Sequence, residues 1–105
     1  MQIEVIGSPV SCVTRMRAYA EFRVFRQLAE FAQEVKAVRV VVSCFPGNQT
    51  TSCAMSAELK QGDRIKSRGR STRPSHAVDS AAVKLAMAAS RRLSDALASR
   101  RQPRN

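Results

Sequence analysis

Between residues 37 and 71 the chain keeps a period of two, and on both sides of that block its apolar residues recur at helical spacing instead. A switch of period twice along a short chain leaves few architectures open. Within the block, Val38, Val40, Val42 and Cys44 share one side of a β-branched strand expected over residues 37–44. Pro46, Gly47 and Asn48 then turn the chain, and Cys53, Met55, Ala57 and Leu59 point inward from a second strand that ends near Lys60. The two runs form a hairpin. Gln61-Gly62-Asp63 supplies another tight turn, and residues 64–71 follow as a further strand.

Ahead of the block, residues 2–6 alternate, with Ile3 and Val5 on one side, until Gly7-Ser8-Pro9 interrupts them. A helix is expected next, capped by Thr14 and running to about Ala32, because no Gly or Pro occurs in that stretch. Its core stripe would be Val13, Met16, Ala20, Val24 and Phe31, with Leu28 at the margin. Arg15, Tyr19, Phe22 and Arg26 lie roughly opposite, flanked by Arg23 and Phe25, so aromatics mingle with cations on an outer face. After the block, Pro74 and Ser75 suit the first turn of a last helix. Val78, Ala81, Ala82, Leu85, Ala89, Leu93, Ala96 and Leu97 form its apolar stripe, Lys84 and Arg91 project from the other side, and Arg92 flanks the stripe. Asp79 is expected to serve the first turn, where the helix dipole favours negative charge.

The element order predicts an α+β fold, a β-α-β-β-β-α two-layer sandwich with two helices packed on one face of a four-stranded sheet and the other face open to water. At 105 residues this is one domain, expected over residues 1–99. Residues 100–105 have nothing to bury and are expected to form a disordered basic tail.

Charge narrows the function. The formal net charge is +10, and from Lys60 onward twelve cations face only Asp63, Asp79 and Asp95. Such an excess attracts a polyanion and releases its counterions, with an affinity that falls as salt rises. The chain has no apolar run long enough to cross a membrane and no signal-like N-terminus, which points to the cytoplasm and to no membrane partner. Cys12, Cys44 and Cys53 are odd in number and lack metal-ligand spacing, so reduced, mostly buried thiols are expected; Cys44 and Cys53 flank the hairpin turn and would be the pair to bond on oxidation. His76 is the only histidine, the acidic residues are scattered, and the glycines stand alone. The residues therefore point to no enzyme, no catalytic residue, no metal, no cofactor and no small-molecule substrate.

The sharpest local pattern is Arg64, Lys66, Arg68 and Arg70, which alternate and so share one face of their strand at roughly 7 Å spacing. Like charges so placed repel, which makes the ladder a candidate phosphate-binding row; a solvated face with local partners such as Glu58 is the competing reading. Tyr19, Phe22 and Phe25 offer stacking surfaces for bases, and Phe22 with Phe25 offers a self-association patch; ordinary packing is the competing use.

Met1-Gln2-Ile3-Glu4-Val5 with Gly7, then Thr14 followed by Met16-Arg17-Ala18-Tyr19 and Phe31, resembles the first strand and helix of the ribosome hibernation promoting factors, also called ribosome-associated inhibitor or sigma-factor modulation proteins. Val38-Arg39-Val40-Val41-Val42 resembles that family's second strand, and His76-Ala77-Val78-Asp79 with Lys84-Leu85 its last helix. The resemblance covers residues 1–98 and corresponds to the short form, in a divergent version. It implies a translation inhibitor that binds the small ribosomal subunit and its RNA, occluding the channel for messenger and transfer RNA under stress. It assigns Arg23, Arg26, Lys84, Arg91 and Arg92 to ribosomal RNA phosphates. The stretch Arg73-Pro74-Ser75-His76, where the family usually carries an acidic residue and a tyrosine, and the segment 43–52 depart from its pattern. A non-ribosomal RNA-binding module, or an adaptor for an acidic protein, are the alternative readings.

Overall fold

A computed structural model describes the backbone of residues 1–101 and the side chains of residues 1–94. Its elements are β1 (Gln2–Ser8), α1 (Val10–Gln27), a 3₁₀ turn (Ala29–Phe31), β2 (Val35–Phe45), β3 (Thr50–Leu59), β4 (Arg64–Ser71) and α2 (Pro74–Arg101). The four strands form one sheet in the order β1-β2-β3-β4. The α1 crossover makes β1 parallel to β2, and the two hairpins make the remaining pairs antiparallel. This is the predicted α+β sandwich. Of the expected tail, Arg100 and Arg101 fall within the bounds of α2, and residues 102–105 lie outside the described residues.

Alternation decides which side of the sheet meets the helices. Val38, Val40, Val42, Cys53, Met55, Ala57, Leu59 and Ile65 are buried against Val13, Ala20, Val24, Val78, Ala81, Leu85 and Ala89 of the helices. Gly69 lets α2 approach β4 closely, because a Cβ there would stand 2.2 Å from the backbone oxygen of Ala77. Ser67, on the same side, donates its hydroxyl to the Ala81 carbonyl at 2.7 Å. The odd-numbered positions of β4 thus face α2, and the even-numbered cations face away.

Several boundaries differ from the sequence reading. α1 starts at Val10 with Pro9 in the cap position, and Thr14 lies inside the helix, its hydroxyl donating to the Val10 carbonyl at 3.0 Å. A side chain satisfied within the preceding turn no longer caps. The helix ends at Gln27 rather than Ala32, where Leu28 leaves helical geometry (φ −103°, ψ 8°). Leu28 is fully buried, not marginal, while Met16 and Phe31 only flank the core. β1 continues through Gly7 and Ser8 beyond the expected break. Gly7 makes this feasible, since it has φ +150° and a Cβ there would stand 1.8 Å from the Val42 oxygen. β3 stops at Leu59 because the Lys60 amide turns to the Glu34 carbonyl at 2.8 Å.

The cysteines also pair differently from the expectation. Cys12 at the start of α1 is bonded to Cys44 near the end of β2, with Cα atoms 6.5 Å apart. In the β2–β3 register Cys44 opposes Thr51 and Cys53 opposes Val42, so the two hairpin cysteines share a face but are two residues out of line. Cys53 is the free, buried thiol, and burial pushes its pKa up to about 12. A thiol held protonated in this way is a poor nucleophile.

Candidate nucleic-acid interface

The cations separate into those held by carboxylates and those left open. Arg23 belongs to the first kind. Its Nε lies 2.8 Å from Asp79 Oδ1 across the seam between α1 and α2, yet Nε–H is not aimed along that contact. Attraction between charges, not a directed hydrogen bond, holds this pair. Tyr19 donates its hydroxyl to the same carboxylate oxygen. That bond, with some desolvation and the nearby negative charge, raises the Tyr19 pKa. Asp79 therefore does not serve the first turn of α2, as the sequence suggested; it joins two helices. Tyr19 likewise faces this seam rather than an outer stacking surface.

Arg92 is the second restrained cation, its Nη1 lying 3.4 Å from Asp63 in the β3–β4 turn. On the outer sheet face Arg39 meets Glu4 at 3.1 Å, and Lys36 meets Glu58 at 3.9 Å. Among the described residues, Arg26, Lys84 and Arg91 enter no ion pair. Arg26 is exposed on α1, beside the exposed Phe22 and Phe25. Lys84 reaches the edge strand, where Nζ donates to the Arg68 carbonyl at 3.1 Å. Arg91 and Arg92, with Ile65 and Ala88, line a shallow cleft of about 430 Å³ between α2 and β4. The five helix residues assigned from sequence are thus not one set: Arg23 and Arg26 lie on α1, while Lys84, Arg91 and Arg92 lie on α2, toward β4.

Arg64, Lys66, Arg68 and Arg70 are all exposed, alternating with inward Ile65, Ser67, Gly69 and Ser71 as the period of two requires. Being at the sheet edge, β4 has a neighbour on one side alone. Lys84 bonds to the backbone of Arg68 itself, which brings the α2 cations next to the ladder around this edge. That junction was invisible in the sequence, where sixteen residues separate the two partners. Among the described residues no three His, Cys, Asp or Glu side chains cluster to hold a metal ion, and no helix is long and apolar enough to cross a membrane.

A two-layer α+β domain with a parallel β1–β2 pair and a basic β4 edge is the class these observations define. Its fold is shared with the Thermus thermophilus Protein Y N-terminal domain, at 20% identity and a TM-score of 0.70, over 87% of this chain and 98% of that one. It is shared also with a ribosomal subunit interface protein from Coxiella burnetii, at 19% identity and a TM-score of 0.75, over 90% of this chain and 99% of that one. No protein-family model matches the chain, and no curated protein matches it.

Proposed function

We propose that this protein is a ribosome-associated, cytoplasmic translation inhibitor that binds RNA of the small subunit through its basic surface and occludes the channel for messenger and transfer RNA. The observation that carries this reading is the coincidence of a +10 chain with a fold shared with a ribosomal subunit interface protein. The family resemblance of the sequence supports the same partner. Inhibition is steric and involves no catalysis. Arg26, Lys84 and Arg91 act as the principal helix-borne phosphate contacts, since acids do not already hold them among the described residues. Arg23 and Arg92 contribute less, because a phosphate has to compete with Asp79 and Asp63 for them.

The test is sedimentation of purified protein with small ribosomal subunits across a salt series. Cosedimentation at low salt that declines as salt rises is expected. No association at low salt overturns the reading. The triple substitution Arg26→Glu, Lys84→Glu and Arg91→Glu should abolish cosedimentation while leaving the circular dichroism spectrum unchanged. A pull-down in which partners survive nuclease digestion would favour an acidic protein partner instead.

A further inference from the structure

We infer that the outer face of β4 is a binding row for one extended single strand of RNA, contacted through its phosphates and independent of base sequence. The inference extends the RNA-binding reading to a second face and rests on it for the class of polyanion alone. Arg64, Lys66, Arg68 and Arg70 point away from the helices, and among the described residues none of them enters an ion pair. Alternate residues of a strand stand roughly 7 Å apart, a spacing comparable to that of successive phosphates along an extended strand.

The floor beside the row suits a backbone rather than bases. Across β3, Lys66 opposes Ser56, Arg68 opposes Ala54 and Arg70 opposes Ser52, so the cations stand above small neutral neighbours. The next strand continues the row with Ser43 opposite Ser52 and Val41 opposite Ala54, and its one exposed aromatic, Phe45, lies opposite Thr50, beyond the Arg70 end of the row. Acids lie toward the Arg64 end: Glu58 opposes Arg64 itself, and Glu4, neutralised by Arg39, stands on β1 in the cross-strand row of Ser56 and Lys66. They disfavour a polyanion crossing the sheet at that end. The strand of RNA therefore runs along β4, with Lys66, Arg68 and Arg70 as its strongest contacts and Arg64 as the weakest.

Edge protection is the competing explanation for charge on β4. Lysine is the residue that protection most often uses, whereas three of these four residues are arginines, whose planar fork pairs with phosphate in two places. Lys84 anchors against the same strand and adds a cation at the rim of the row.

Anisotropy of a short fluorescein-labelled oligouridylate, measured across a salt series, tests the inference. Replacing all four ladder residues with Gln should weaken binding at least about tenfold at low salt and flatten the slope of log K against log salt by about 3. Ala54→Glu is a second variant that removes no cation and sets a carboxylate opposite Arg68; it should weaken binding while the melting temperature holds or rises. An unchanged affinity and slope in both variants overturns the inference. So does a duplex RNA or an oligoglutamate that displaces the oligouridylate at equal or lower concentration. Sedimentation with small subunits reads the other proposal separately. Protein that ignores subunits yet binds oligouridylate through the ladder removes the ribosomal reading and leaves this one standing, and the converse removes this one alone.

Discussion

The seam between α1 and α2 and the outer face of β4 both carry cations, but among the described residues only those of the seam are held in an ion pair. There Asp79 takes Arg23 and the Tyr19 hydroxyl together, so positive charge is consumed in joining two helices. On β4, four cations at alternate positions face serines and an alanine, with Glu58 opposite the first of them. The contrast teaches that a count of basic residues overstates the unpaired positive charge on one side of this molecule and describes it well on the other. Charges at the seam contribute to folding. Charges on the ladder work against it, by mutual repulsion.

Three perturbations would break or sharpen that contrast. The largest effect is expected on the helix side, where the Cys12–Cys44 bond closes a loop with a sequence separation of 32. Reducing it, or substituting both cysteines with Ser, should destabilise the protein by about 2–4 kcal/mol, measured by thermal or urea unfolding. An unfolding curve indifferent to reductant would count against the bond in solution. Cys53, buried and protonated, should stay unreactive toward thiol reagents in the folded state.

A smaller loss is expected from Asp79→Asn, which removes the charge that holds Arg23 and leaves the Tyr19 hydroxyl a neutral amide oxygen in place of a carboxylate. About 1–2 kcal/mol is reasonable for a partly exposed, charge-assisted contact. The same substitution has a spectroscopic signature, since the chain has one tyrosine and no tryptophan. Tyr19 has a raised pKa in the folded protein, so its contribution to stability is fully present below the unfolded value of 10.0 and is lost as pH rises through the folded value. Tyrosinate absorbance should therefore appear at lower pH in the Asn variant than in the wild type. Coincident titrations would show that the carboxylate does not set the pKa.

The smallest effect has the opposite sign. Arg68→Ser should stabilise the fold by a few tenths of a kcal/mol, up to about 1, by relieving repulsion from Lys66 and Arg70 on the same face. A clear loss of stability in urea unfolding would mean that the ladder is structural, which would erase the contrast with the seam.

Much of the fold was legible because its signals are local. The bounds of β4 agree with the alternation of charged with small or apolar residues, and the core of β2 and β3 follows Val38, Val40, Val42, Cys53, Met55 and Ala57. Helix termini were less legible. Thr14 has the chemistry of a cap, but the chain enters α1 directly from β1 at Pro9, and the backbone direction imposed by the sheet outweighs a single hydroxyl. Cys44 and Cys53 do share one face, yet an offset of two residues separates them, and Cys44 near the end of β2 meets Cys12 instead.

What the sequence determined by itself is the element order, the inward face of each strand and the alignment of the four ladder cations. Each follows from a backbone repeat of two or 3.6 residues acting over a few positions. Which cations stay open was decided only by the tertiary structure. Asp79 meets Arg23 and Tyr19, Arg92 meets Asp63, and Lys84 leans over Arg68, because the sheet fixes where each helix lies. Contacts of that kind depend on how two rigid elements are placed against each other, and no local repeat contains that placement.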